Sequence, residues 1–114
     1  MAAARALATA PSAELPKAEL AASARTICAL LAARFPGGTV ELRVPPYAAV
    51  QLGFGERGRH TRGTPPNVVQ TDAPTLLALA AGILSWPQAR ELRLVQASGK
   101  LADLDQIWPL PELS

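Results

Sequence analysis

Hydrophobic residues recur every three to four positions through PKAELAASARTICALLAARF, residues 16–35, which puts Leu20, Ala24, Ile27, Leu31 and Phe35 along one side of a predicted amphipathic helix. Pro36, Gly37 and Gly38 stop it. The period then falls to two. In TVELRV, residues 39–44, Val40, Leu42 and Val44 face one way while Thr39, Glu41 and Arg43 face the other, the pattern of a half-buried strand. Pro45 and Pro46 cannot donate to a ladder and take the chain off the sheet. YAAVQLGF, residues 47–54, then alternates again through Ala48, Val50, Leu52 and Phe54.

Gly53, Gly55 and Gly58 mark a turn, after which RHTRG can form a short third strand and NVVQT a fourth. Asp72 suits the N-cap of a helix through LLALAAG that carries Leu76, Leu79, Ala80 and Ile83 inward, with Gly82 as its stop. Ser85 opens a second short helix through WPQARE. RLVQAS, residues 93–98, reads as a strand, and Asp103 and Gln106 have capping-box spacing for a last turn ending at Trp108. Helix, strands, helices, strand and turn make an α+β domain in which one helical layer packs on one sheet. Residues 1–14, alanine-rich and weakly apolar, are expected to be a disordered tail rather than a leader, and residues 15–114 a single domain.

Composition sharpens this picture in three places. At 114 residues the chain can bury roughly two thirds of its extended surface. Hydrophobic residues make up 49% but aromatics only 4%, so alanine, leucine and valine must fill the interior, and a groove or void is expected. The formal charge is only +2, with acids and bases interspersed outside residues 57–62, which argues against a nucleic-acid surface. The lone cysteine, Cys28, allows no internal disulfide and suits a reducing compartment, so a cytoplasmic location is expected; no apolar run is long enough for a transmembrane segment.

The candidate chemistry is sparse. One histidine and one cysteine in different elements do not make a metal site, so no metal and no cofactor are expected. Cys28, set in an alanine-rich helix, should be a packed thiol with a raised pKa. No glycine-rich phosphate loop and no nucleophile elbow is present, and an enzyme would need His60 to share a cleft with Glu41, Asp72 or Asp103. Arg57, Arg59, His60 and Arg62 form either a solvated hairpin arm or an anion-binding lip. Trp86 and Trp108, next to prolines at element ends, close the core or rim a pocket; Tyr47 offers a phenol in a similar setting.

The run TDAPTLLALAAGILSWPQARELRLVQASGKL, residues 71–101, resembles the C-terminal half of the sterol carrier protein family, with NVVQT, LLALAAG, PQA and RLVQASG as the corresponding strand, helix, helix and strand. GGTVELRVPPYAAVQ together with RHTRGTPPNVVQTD is similar to the actinobacterial branch described as bacterial sterol carrier orthologues. The resemblance covers most of the chain. It implies a mixed or antiparallel sheet of about five strands covered by helices, with an apolar tunnel that takes lipids in characterised relatives. Related domains are fused to a metal-binding helical domain in mycothiol-dependent isomerases; with a single histidine, this sequence is not expected to share that activity.

The expected function is therefore non-catalytic binding, with transfer as an extension, of a lipid or other hydrophobic small molecule. The expected pocket wall is Leu52, Phe54, Leu76, Leu79 and Ile83, with Tyr47, His60 and Arg62 as polar anchors and Trp86 and Trp108 at the rim. The alternative is an accessory module with a packed core that docks a protein partner through the basic arm 57–66.

Overall fold

A computed structural model describes residues 16–54 and 67–113 of the chain. Helix α1 (Lys17–Arg34) is followed by strands β1 (Val40–Val44), β2 (Ala48–Leu52) and β3 (Asn67–Thr71), helices α2 (Ala73–Ala81) and α3 (Trp86–Glu91), strand β4 (Val95–Ser98) and a short 3-10 turn at Asp105–Ile107. The strands lie in the order β2-β1-β3-β4. β1 runs antiparallel to β2 and parallel to β3, and β4 returns antiparallel to β3. The fold is thus α+β with a mixed four-stranded sheet among the described residues. The expected strand at RHTRG, the tail 1–14 and the basic arm all lie outside them.

Period-two patterning sets which sheet face is covered. Val40, Leu42 and Val44 of β1 and Val69 of β3 are buried under the helices, while Gln51, Gln70 and Gln96 are exposed on the other face. α1 contributes Ala24, Ile27 and Leu31 to the same core and packs on both β2 and α2. The C-terminal segment supplies Leu104, Ile107, Leu110 and Leu113, all buried. The amide of Leu110 donates to the Ala80 carbonyl of α2, and Glu112 forms an ion pair with Arg34 in the last turn of α1. Leucines from the end of the chain thereby occupy space that an aromatic-poor core would otherwise leave open.

The caps expected at Asp72, Ser85 and Gly82 are present. The Asp72 carboxylate accepts from the Thr75 amide at 2.9 Å, and Ser85 and Gln88 form a reciprocal capping box at the start of α3. Gly82, at φ 81°, ends α2.

Three expectations need correction. Ile83 is 38% exposed instead of facing inward, because the left-handed turn at Gly82 breaks the helical stripe one residue earlier. The last strand begins at Val95 and not at Arg93, whose φ of 59° belongs to the left-handed turn that terminates α3. Finally, Asp103 accepts from the Asp105 amide at 2.9 Å, so the final turn is a 3-10 element opened by an Asx-type contact in place of a capping box with Gln106.

Candidate functional site

The topology brings the start of β1, the end of β2, the start of β3 and the end of β4 to one end of the sheet. A cavity of about 500 Å³ opens there, lined by Thr39, Phe54, Lys100, Leu101, Asp103 and Gln106. Each wall has its own support. The Phe54 ring leans on Phe35, with centroids 5.6 Å apart and planes at 44°, and so is held by the segment leaving α1. The Thr39 amide donates to the Leu52 carbonyl, closing β1 on β2. Lys100 and Leu101 sit in the turn after β4, and Leu101 is 58% exposed, an apolar side chain presented at the opening.

Asn67 ties two of these walls together. Its side-chain amide donates to the Thr39 carbonyl at 3.0 Å, and its oxygen accepts from the Leu101 amide at 2.9 Å. At 6% exposure the residue is buried, and both halves of its amide are satisfied by backbone that lines the cavity. Sequence reading placed Asn67 only as a strand residue and did not single out Thr39, Lys100, Leu101 or Gln106 as site residues. Asparagine at the start of an apolar strand was the one available signal, since a buried amide demands partners.

The expected site residues are dispersed. Phe54 lines the large cavity, whereas Leu52 and Leu76 are fully buried in the packed core. Leu79 borders a different crevice of about 170 Å³ that it shares with Trp86, Trp108 and Asp105. Trp86 is 5% exposed and carries the Arg90 guanidinium 5.9 Å from its ring centroid. Trp108 is half-buried, and its indole N–H has no hydrogen-bond partner among the described residues. Tyr47 packs partly buried in the β1–β2 hairpin, at the end of the sheet away from Phe54. His60 and Arg62 lie outside the described residues.

The carboxylates named as partners for His60 are already engaged. Glu41 pairs with Arg43 at 3.2 Å, Asp72 caps α2 and Asp103 holds the 3-10 turn. Among the described residues no group of three or more His, Cys, Asp or Glu side chains converges to hold a metal ion, and no helix is long and apolar enough to cross a membrane. What the large cavity offers is apolar surface from Phe54 and Leu101 beside an ammonium, a carboxylate and an amide. Among the described residues the cavity thus sets apolar surface beside groups that can pair with charge or donate hydrogen bonds.

Cys28 is 1% exposed, and burial pushes its thiol from 9.0 to about 11. At pH 8 the thiolate fraction is about 0.1% in the fold against about 9% for a thiol at the ordinary value. Iodoacetamide should therefore label folded protein about a hundredfold more slowly than urea-unfolded protein. Equal rates would place the thiol at the surface. The neutral thiol's contribution to stability is present in full below pH 9 and lost as pH rises toward 11.

Comparison with known proteins bears on the whole fold. Residues 16–110 match the model of the family described as bacterial SCP ortholog, and no curated protein matches the chain.

Proposed function

The chain belongs to the bacterial SCP ortholog family, where SCP stands for sterol carrier protein, and from that premise we propose that it binds a lipid or other hydrophobic small molecule without transforming it. The observation that carries this reading is the cavity of about 500 Å³ at the Phe54 end of the sheet. Its volume falls within the roughly 300–1,000 Å³ of small-molecule sites, and its apolar and polar walls suit a molecule with a hydrocarbon body and one polar group. Phe54 and Leu101 cover the body; Lys100 or Gln106 anchors the polar end. Binding draws on apolar area removed from water, worth about 25 cal/mol per Å² before the costs of association.

His60 and Arg62 enter the proposal as further anchors. The segment that carries them leaves the described structure after Phe54, which lines the cavity, and rejoins it at Asn67, which fastens two of its walls. The protein would work in the cytoplasm, as a carrier if it also releases its ligand to a membrane. Docking of a protein through the arm 57–66 is the second reading, and the cavity favours the first.

Native mass spectrometry of freshly purified protein is expected to show a population heavier by the mass of a bound lipid. Binding of the dye 1-anilinonaphthalene-8-sulfonate should weaken about tenfold in Leu101→Glu, since a carboxylate at the apolar wall opposes burial of the dye, while the unfolding midpoint barely moves at this exposed position. A protein with no adduct, and with equal dye affinity in both forms, is not a carrier that uses this cavity.

A further inference from the structure

At the opposite end of the sheet a second opening of about 340 Å³ lies between Pro45 after β1, Gln70, Thr71 and Asp72 at the end of β3, and Arg93, Leu94 and Gln96 at the start of β4. Gln70 and Gln96 are direct cross-strand partners on the exposed face of the sheet, and the Gln96 side-chain amide donates to the Arg93 carbonyl at 3.4 Å, which ties it to the turn before β4. The Thr71 hydroxyl donates to the Leu94 carbonyl at 2.8 Å and fixes the approach to β4 against the end of β3. The Asp72 carboxylate is committed to the Thr75 amide. Arg93 makes no ion pair among the described residues, which leaves its guanidinium as the cationic group of this cleft.

Arg93 also occupies a backbone position that arginine does not favour. Its amide donates to the Arg90 carbonyl, and the Leu94 amide to the Ala89 carbonyl, the paired bonds of a Schellman turn with Arg93 at the left-handed residue. At the end of α2 the same bonds run from Gly82 to Leu79 and from Ile83 to Ala78, and there the left-handed residue is glycine, at φ 81°. Among the described residues Arg93, at φ 59°, is the non-glycine residue with positive φ. A turn that glycine completes with less strain carries instead a long cationic side chain at a cleft. Strain retained in that way points to use of the side chain.

We propose that this cleft is a second binding site, for the anionic group of a small organic acid: a carboxylate or phosphate held by the Arg93 guanidinium and the amides of Gln70 and Gln96. Guanidinium forks match both oxyanions bidentately, the Gln70 amide adds a donor, and Gln96 offers the N–H that its bond to the Arg93 carbonyl leaves over. Leu94, 38% exposed, and Pro45 flank the apolar part of the acid. The site lies across the sheet from the Phe54 cavity and stands or falls independently of it.

The test is a titration of nitrogen-15-labelled protein with hexanoate and, separately, with inorganic phosphate, read on the side-chain amides of Gln70 and Gln96 and the Arg93 Nε–H. Saturable shifts at these groups at millimolar ligand are expected. Arg93→Gly should raise the dissociation constant at least tenfold while the melting temperature holds or rises, a pairing that loss of fold cannot produce. Pelleting with phosphatidylglycerol vesicles separates the two sources of such an anion: Arg93-dependent pelleting assigns the site to a lipid headgroup, and shifts without pelleting assign it to a soluble acid. An unchanged titration in Arg93→Gly overturns the proposal. So do shifts spread equally over Lys100 and Arg34, or the absence of both saturable shifts and Arg93-dependent pelleting.

Discussion

Gly53→Ala should cost about 3 kcal/mol of folding stability, a large effect for one methyl group. A Cβ at this position would meet the Pro36 carbonyl oxygen at 2.4 Å and the Gly37 Cα at 2.6 Å, both backbone atoms. The backbone has little room to yield. The Gly53 amide donates to the Phe35 carbonyl at 2.9 Å, the Thr39 amide to the Leu52 carbonyl at 2.9 Å, and the Phe35 and Phe54 rings are in contact just beyond. The exit of α1 is thus clasped to the end of β2 at the point where the methyl would intrude. Replacing glycine by alanine gains about 0.4–1 kcal/mol from the stiffer unfolded chain, too little to offset the overlap. Urea denaturation should show the midpoint falling by about 2 M, taking a slope near 1.5 kcal/mol per M. Because Phe54 is the next residue, dye binding at the cavity should weaken as well. A midpoint shift under about 0.3 M would show that the α1 exit can move aside.

That glycine also shows where sequence reading stops. As a residue type, Gly53 is equally consistent with a turn and with close backbone approach, and only the distance to Pro36 decides for the latter. Features set within a few residues were legible. The stripe of α1, the alternation of β1, the N-caps Asp72 and Ser85 and the stop at Gly82 follow from local chemistry and are present. Features set by register between distant segments were not. Thr39, Phe54 and Lys100 come from three parts of the chain, and no local pattern announces that the sheet carries them to one end. Scarcity of aromatics suggested space beside Leu52 and Leu76, but leucines of the C-terminal segment join the core that buries both completely. The turn at Arg93 escaped notice because its residue is not one that usually signals a left-handed backbone.

Asn67→Ala should likewise cost about 3 kcal/mol, through unpaired polar groups and not through overlap. The asparagine amide serves one backbone acceptor, the Thr39 carbonyl, and one donor, the Leu101 amide, and alanine abandons both at a position 6% exposed. Each of these part-buried groups left without a partner carries a penalty of about 1–3 kcal/mol, toward the low end because both line the cavity. Since Thr39 and Leu101 line the cavity, the same change should loosen its walls and lower dye affinity beyond any loss of folded protein. Asn67→Asp separates the two bonds. An ionised carboxylate still accepts from the Leu101 amide but sets an oxygen against the Thr39 carbonyl, which cannot donate. That repulsion, together with burial, raises the folded-state pKa of the new carboxyl above its unfolded value of about 3.9. The protonated form can donate to Thr39, so its stabilisation is complete below the unfolded pKa and lost as pH rises through the folded one. Asn67→Asp should therefore be more stable relative to Asn67→Ala at pH 4 than at pH 8, measured by urea midpoints at both. A difference that does not change with pH would mean that the Thr39 carbonyl finds another donor, and the amide bridge would then hold the cavity through Leu101 alone.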